Sequence, residues 1–476
     1  MPESILAAAL GIISALFMAQ AIRLSQRVYL DSYVAGFILQ PIGFYWLFST
    51  ISFFGGFDLV ATSLIFLLFI ALSAFQYPIF VYFYKSLPGI ADRFHLRLAL
   101  AWVLGESLSV RIFPWYLGHT QLAFSPLAQI ADLGGATLVS LVCIWMAELV
   151  RVYCIQRKVS FGAALVVAAF LLYGTYRTIS PVETGELIKV ALLQANISVV
   201  EKHDRRFFSD NINRYVDLQT RVSPNVDLVV WPEAVLQDWI PAKVGNVTHA
   251  GSALNFWRPG ASMLLGALTF DSQTEIHNSA ISILPDGSMP YPYHKKVLMP
   301  FGEYTPFLNF FPWLGQINIT PEFTPGREVQ AVQFPFGVAS PLICYEDVVE
   351  DLSREAALKG ANFLVNLTND GWFGDSLAPY QHNLIAAFRS IENRRFLIRA
   401  TNTGLSSIID PQGNTVKSLP IFGEGILEAD IGLNSQLTIF SKYGQFWSWF
   451  LLVLGTALLL RPLFVKRERL SIRLPE

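Results

Sequence analysis

Charge is what this sequence has least of: Asp, Glu, Lys and Arg make up only 15% of its 476 residues, against about a quarter in an average soluble domain. With 53% hydrophobic residues and a mean hydropathy of +0.43, a single soluble globule of this size is excluded, and an integral membrane protein is expected. Net charge is small as well, at −2, which removes the electrostatic footprint of a nucleic-acid binder. Cysteine is equally scarce. Of the three present, Cys143 and Cys154 fall in or beside an apolar segment, so Cys344 stands alone in the polar part of the chain. It has no disulfide partner there, and the spacing excludes a cysteine zinc site. The seven histidines show no paired ligand spacing, and no Gly-rich phosphate loop is present. Neither a metal nor a cofactor is expected. The first apolar run has no basic residues before it, so no cleavable signal peptide is expected.

What the chain does have is apolar runs of bilayer length, about 17 to 25 residues each. They cover Ile5 to Ile22, Tyr33 to Phe54, Leu59 to Phe83, Leu96 to Ile112, Leu127 to Val150, Phe161 to Ile179 and Phe446 to Val465. Glu106 interrupts the fourth and is expected to face the bundle or water, with Arg111 as a partner. The resulting organisation is a transmembrane bundle over residues 1–182, a soluble domain over 183–442, and a closing helix with a basic tail over 443–476.

Basic residues set the orientation. Arg23 and Arg27, then Lys85, Arg93 and Arg97, then Arg151, Arg157 and Lys158, and finally Lys466, Arg467, Arg469 and Arg473 occupy alternate loops, which are expected to be cytoplasmic. The N-terminus, the loop around Phe113-Pro114-Trp115 and the soluble domain are then expected outside. In a bacterium that is the periplasm, where no ATP is available.

The soluble part alternates short apolar strands with helical stretches. Strands are expected at Ile188 to Gln194, Val226 to Trp231, Ser262 to Leu268, Asn278 to Leu284, Val329 to Phe334, Ser340 to Cys344, Phe363 to Asn366 and Ser406 to Asp410. Helices are expected at Phe207 to Val222 and Tyr380 to Ile398. Such mixing argues for an α/β layered domain.

Three stretches place reactive side chains just after apolar strands: Glu233 behind Pro232, Lys295 to Glu303, and Cys344 behind Pro341-Leu342-Ile343. A thiol of ordinary pKa, about 8.5, is mostly protonated at neutral pH, so a carboxylate base is useful beside it. An ammonium can then stabilise the oxyanion formed when sulfur attacks a carbonyl. On a strand Lys295 and Lys296 point to opposite faces, so only one can serve.

Trp231-Pro-Glu233, Lys295-x-x-Leu-x-Pro-Phe-Gly-Glu303, Cys344-Tyr-Glu346 and Asn366-Leu-Thr-Asn-Asp-Gly-Trp-Phe-Gly374 together resemble the nitrilase, or carbon-nitrogen hydrolase, superfamily. The apolar bundle ahead of them, with Phe113-Pro-Trp115 and Pro126-Leu-Ala-Gln129, narrows the resemblance to the apolipoprotein N-acyltransferase family. The resemblance implies an α-β-β-α sandwich on a membrane base, with Glu233 as base and acid, Lys295 as oxyanion stabiliser and Cys344 as nucleophile. It also implies Glu303, Tyr345, Glu346, Trp231 and Trp372 as supporting or substrate-binding residues. The implied reaction moves an acyl chain from a phospholipid to Cys344 as a thioester, and then to the N-terminal amine of a diacylated apolipoprotein. A membrane-tethered amidase, or an acyltransferase with another amine acceptor, is the alternative. A multi-pass monomer in the bacterial inner membrane is expected. Where the family usually has a tryptophan this chain has His203. Finally, Phe301, Phe307, Phe310, Phe311, Trp313 and Leu314 crowd one Pro-rich loop after Lys295, as a membrane-facing lid would.

Overall fold

The structure, a computed structural model, describes residues 9–14, 18, 21, 25–157, 160–180, 182, 184–250, 254, 256–257, 260–272, 275–306, 308 and 322–471. The chain forms two compact units. One comprises Met1–Tyr45, Phe66–Pro181 and Lys442–Glu476, and the other Trp46–Ile65 and Val182–Ser441.

Among the described residues three helices are long and apolar enough to cross a membrane: Leu59–Ser86, Ala131–Gln156 and Phe161–Ile179. Val28–Gly43 and Trp46–Phe53 make a fourth if they form one broken span. Most of the expected first segment lies outside the described residues. The expected last span falls within one helix, Ile439–Ser471. The expected fourth span is corrected: it is a helix of only 12 residues, Arg97–Leu108. At about 1.5 Å per residue it reaches about 18 Å, well short of a bilayer core of about 30 Å. Its Glu106 is fully buried, and the carboxylate accepts the Leu117 backbone N–H at 2.8 Å. Arg111 donates instead to the backbone carbonyl of Glu106, so the hydrogen bonds differ from the expected carboxylate pairing. Elsewhere in this unit Gly174 admits a close approach, since a Cβ there would stand 1.7 Å from the Pro126 carbonyl oxygen.

The second unit carries the strands. In chain order they are β1 (Leu187–Gln194), β2 (Leu228–Val230), β3 (Leu236–Pro241), β4 (Ser262–Phe270), β5 (Ile276–Ile283), β6 (Tyr293–His294) and β7 (Val332–Phe334). Then follow β8 (Gly337–Ile343), β9 (Phe363–Thr368), β10 (Leu397–Thr401), β11 (Ser407–Ile409), β12 (Thr415–Ser418) and β13 (Gly425–Gly432). They build two sheets, ordered β13-β1-β2-β4-β5-β6, with β3 beside β4, and β12-β11-β10-β9-β8-β7.

The pleat assigns side chains to two cores. Along β1, Val190 and Leu192 join Leu228, Val230 and Leu264 against Ile343, Val365, Leu367 and Ile398 of the other sheet. Ala191 and Leu193, of opposite parity, pack with Trp231, Leu265 and the helix residues Tyr215 and Leu218. A strand read as alternating apolar residues on both faces must be covered on both. The covers are the helix Phe208–Thr220 on the first sheet, and Glu350–Leu358 with Ala378–Asn393 on the second. The layers are therefore α-β-β-α, as the sequence motifs imply.

One expected helix is too long. The apolar periodicity runs from Tyr380 through Ile398, but the helix stops at Asn393, where Arg394 turns left-handed at φ 54°, and β10 pairs parallel to β9. The short apolar Phe396-Leu-Ile398 run fits helix and strand equally well, so periodicity alone cannot place this boundary.

Candidate active site

The parallel pairs β1–β2, β2–β4, β8–β9 and β9–β10 end at the same edge of their sheets, the usual location for ligands in open α/β sheets. At the end of β8 the chain turns sharply. Cys344 sits at φ 52°, a left-handed backbone that costs a non-glycine residue roughly 1–2 kcal/mol, and a 3-10 turn Cys344–Val348 begins there. Asn366 on β9 holds the turn by donating its side-chain amide to the Cys344 carbonyl at 3.0 Å.

Glu346 holds it from the other side. One carboxylate oxygen accepts the backbone N–H groups of Lys296 (2.7 Å) and Val297 (3.0 Å), the other accepts that of Ile343 (2.8 Å), and the Tyr293 hydroxyl reaches both. This fully buried side chain ties the lysine segment to the cysteine turn. Burial raises its pKa to about 7, with the N–H donors and Lys295 opposing.

Glu233 is presented by the turn after β2. Gly266 donates its N–H to the Pro232 carbonyl at 3.1 Å and accepts from Val235 N–H at 2.9 Å. A Cβ on Gly266 would lie 2.5 Å from the Glu233 Cα, so only glycine lets β4 come this close.

Lys295 continues the ladder beyond β6, its N–H donating to the Asn278 carbonyl at 2.8 Å. Its ammonium lies 2.8 Å from Glu303 and 3.6 Å from Glu233 with a side chain only 2% exposed. Burial works against this charge. Glu303 and Glu233 outweigh it and lift the lysine pKa above its ordinary value, so the ammonium persists at neutral pH. Asn278 donates to Glu233 and to Glu303, each at 2.8 Å, which explains how two carboxylates can share one lysine. Glu303 also accepts the Met299 N–H at 2.9 Å.

The Cys344 thiol is pushed well above the ordinary range, first by burial and then by Glu233, while Lys295 and a hydrogen bond with Thr368 pull it down. Sulfur therefore rests protonated, within the electrostatic reach of a carboxylate and an ammonium. A carbonyl entering here would meet a nucleophile, a proton acceptor and a cation.

Several partners have no signature in the sequence. Lys202, buried on the short helix Val199–His203, donates to the Glu233 carbonyl at 2.6 Å, and burial lowers its pKa to about 8 against the pull of Glu233. Behind the cysteine turn His382 bridges Asp347 (2.6 Å) and Asp370 (2.9 Å), and Arg399 donates to Asp347 at 2.9 Å. Helix periodicity places His382 on a buried face; nothing local announces its acids, which come from two other elements.

The remaining sequence-nominated residues divide. Tyr345 is half-buried beside Cys344, and burial together with Tyr304 raises its hydroxyl pKa to about 12. Trp231 is a core residue: fully buried, it stacks on Phe256 at 4.5 Å and on Tyr215 at 5.2 Å, so it supports β2 from the far side of the sheet. Trp372 lies 5.0 Å from the His203 ring and 6.2 Å from Phe53, and Phe373 packs edge-on against Trp46 at 5.0 Å. Trp46 also donates to Gln381 at 2.9 Å, which anchors the segment Trp46–Ile65 in this unit. His203 thus packs against the Trp372 ring, its Nδ1 2.8 Å from the Val199 carbonyl. Lys296 turns away to Glu355 at 3.0 Å. Phe301 is 55% exposed, while Phe307, Phe310, Phe311, Trp313 and Leu314 of the expected lid lie outside the described residues.

Comparison with known proteins adds two family matches. The profile described as "Carbon-nitrogen hydrolase" matches residues 189–436, and that described as "Apolipoprotein N-acyltransferase N-terminal domain" matches residues 3–149. Among similar proteins, the apolipoprotein N-acyltransferase of Geobacter metallireducens is 32% identical over 378 residues, covering 74% of this chain and 71% of the relative. That of Bdellovibrio bacteriovorus is 30% identical over 467 residues, covering 90% and 84%. That of Pseudomonas syringae pv. tomato is 31% identical over 449 residues, covering 89% and 86%.

Proposed function

The chain belongs to the carbon-nitrogen hydrolase family and, within it, to the apolipoprotein N-acyltransferases, and from that premise we propose that it transfers an acyl chain from a phospholipid to the N-terminal amine of a diacylated apolipoprotein through a thioester on Cys344. The observation that carries the chemistry is the buried cluster of Lys295 with Glu233 and Glu303 beside the thiol.

In the first half-reaction Glu233 takes the thiol proton as sulfur bonds to the ester carbonyl carbon. The oxyanion that forms is stabilised by the Lys295 ammonium, which Glu303 and Asn278 hold in place. The intermediate collapses by breaking the bond to the glycerol oxygen, which leaves with the proton from Glu233 as a lysophospholipid. In the second, the neutral amine attacks the thioester, Glu233 takes its extra proton, and the departing sulfur regains one. A resting thiol suits this order, because charge develops on sulfur only when a carbonyl is there to receive it. No cofactor is needed.

We place the enzyme in the bacterial inner membrane as a multi-pass monomer, with the catalytic domain in the periplasm. The basic loop of Arg151, Arg157 and Lys158, one span before the soluble domain, and the basic tail after the closing helix support that orientation. Water must be kept from a thioester awaiting an amine, which gives a site at a lipid surface its purpose.

The test is incubation of the purified protein with phospholipid, followed by intact-mass and peptide analysis. An acyl adduct on Cys344 that is discharged by a diacylated lipopeptide is expected, with none on Cys344→Ala. Release of free fatty acid alone, or an adduct indifferent to the lipopeptide, sinks the assignment. In parallel, wild type but not Cys344→Ala should rescue a strain depleted of its own apolipoprotein N-acyltransferase.

A further inference from the structure

Directly behind the catalytic strands lies a second cluster that acyl transfer does not use. His277 on β5 immediately precedes Asn278, and His294 on β6 immediately precedes Lys295. Successive strand residues point to opposite faces, so both imidazoles lie on the side turned away from Glu233 and Glu303. Asp271, just past the end of β4, faces them. We propose that Asp271, His277 and His294 form a binding site for one divalent transition-metal ion of tetrahedral preference, with zinc as the reference ion.

The distances suit such an ion. Asp271 Oδ2 lies 3.7 Å from His277 Nε2 and 3.5 Å from His294 Nε2, and one ligand atom from each residue falls within 4.8 Å of the others. Metal bonds of about 2.0–2.1 Å in a tetrahedron put neighbouring ligand atoms about 3.3 Å apart, so the Asp271 distances need close by only a few tenths of an ångström, while the two stacked rings must turn apart to aim both Nε2 lone pairs at one ion.

The outer contacts are those of metal-binding histidines. His277 Nδ1 lies 2.8 Å from the Thr324 carbonyl, which can only accept, so Nδ1 carries the proton and Nε2 offers a lone pair. That Nε2 is buried, in a ring only 6% exposed, and has no hydrogen-bond partner. His294 Nδ1 lies 2.8 Å from the Ser279 hydroxyl, itself 2.6 Å from the Thr269 hydroxyl, and these hydroxyls can accept or donate, so His294 can also free its Nε2. The Tyr291 hydroxyl donates to Asp271 and so accepts from His294 Nε2–H at 3.0 Å; metal entry moves that proton to Nδ1, where the Ser279 hydroxyl can accept it.

A purely ionic reading, with protonated histidines paired to Asp271, fits less well. The two rings are stacked 3.9 Å apart at 15°, an arrangement that sets two imidazolium charges face to face. The Asp271 side chain is 18% exposed and opens the site to solvent. The sequence hides the cluster, because its members are spread over three strands' ends with no short spacing between them.

An ion here would staple β4, β5 and β6 together at the residues next to Asn278 and Lys295. The test uses the full-length chain in detergent, without a histidine tag, stripped by chelator and titrated with Co2+. One Co2+ per chain with the visible absorption of a tetrahedral nitrogen and oxygen site is expected, displaced by Zn2+. Asp271→Asn and His277→Gln should each weaken binding at least about tenfold, and Cys344→Ala should leave it intact. Zn2+ should raise the melting temperature of wild type but not of Asp271→Asn, an exposed-turn substitution that keeps an acceptor for Tyr291. Absence of stoichiometric uptake, or uptake that survives both substitutions, overturns the proposal. Neither readout depends on acyl transfer, so failure here leaves the enzymatic assignment standing.

Discussion

Asn278 is the residue on which the charged cluster turns. Its one amide group separates Glu233 from Glu303, and without it two buried carboxylates confront one ammonium with fewer donors. Replacing it with Leu is expected to lower the rate of Cys344 acylation on the order of 10²-fold, the range seen when a positioned polar donor is lost at a reaction centre. The apparent KM for phospholipid should stay close to wild type, since Asn278 is not expected to touch the acyl chain. Single-turnover acylation followed by mass spectrometry decides this. At this scale the sequence was readable where a side chain follows an apolar strand: Glu233, Lys295 and Cys344 all announce themselves that way, and the structure gathers them around one buried charge. Asn278 and Lys202 do not. An asparagine inside a strand and a lysine on a five-residue helix look like solvated polar residues until tertiary packing buries them.

Among the elements, the turn after β8 is braced from behind by the Asp347, Asp370, His382 and Arg399 network. Burial pulls the His382 pKa down, but Asp347 and Asp370 prevail and carry it from 6.5 up to about 9. Because the folded value lies above the unfolded one, the stabilisation is complete below about pH 6.5 and drains away as pH rises through about 9. The catalytic domain should therefore melt at a lower temperature at pH 9.5 than at pH 6.5. His382→Gln should flatten that dependence while lowering stability at pH 6.5 by a few kcal/mol at most. A pH series of melting curves in detergent checks both; a mutant with the wild-type slope would assign the effect elsewhere. Elements were legible from the sequence where one period held throughout, as in β1 and in the helix Phe208–Thr220. They were lost where tertiary partners decide. β3, β6, β12 and β13 are short, or owe their pairing to distant strands, and the boundary before β10 rests on a single left-handed arginine.

For the whole molecule, hydropathy read the existence of a bundle but drew its fourth run too long. Composition cannot tell a 12-residue apolar helix such as Arg97–Leu108 from a full crossing when apolar loop residues continue the run. Topology is testable independently of the helix count. Alkaline phosphatase fused after Asn434 is expected to be active, and fused after Arg157 inactive, because Phe161–Ile179 separates the two points and the Arg151, Arg157 and Lys158 loop should be cytoplasmic. The reverse pattern would put the soluble domain on the wrong side for lipoprotein substrates.

The left-handed backbone at Cys344 has a bearing on how this protein could decay over generations. Glycine would sit in that conformation without strain, whereas alanine would keep the penalty, so Cys344→Gly should be more stable than Cys344→Ala by about 1 kcal/mol. A denaturant titration of the two inactive variants can measure the gap. If it is real, a lineage released from making lipoproteins would drift toward glycine here, and a silent descendant of this gene could be recognised by a sturdier fold around a missing sulfur.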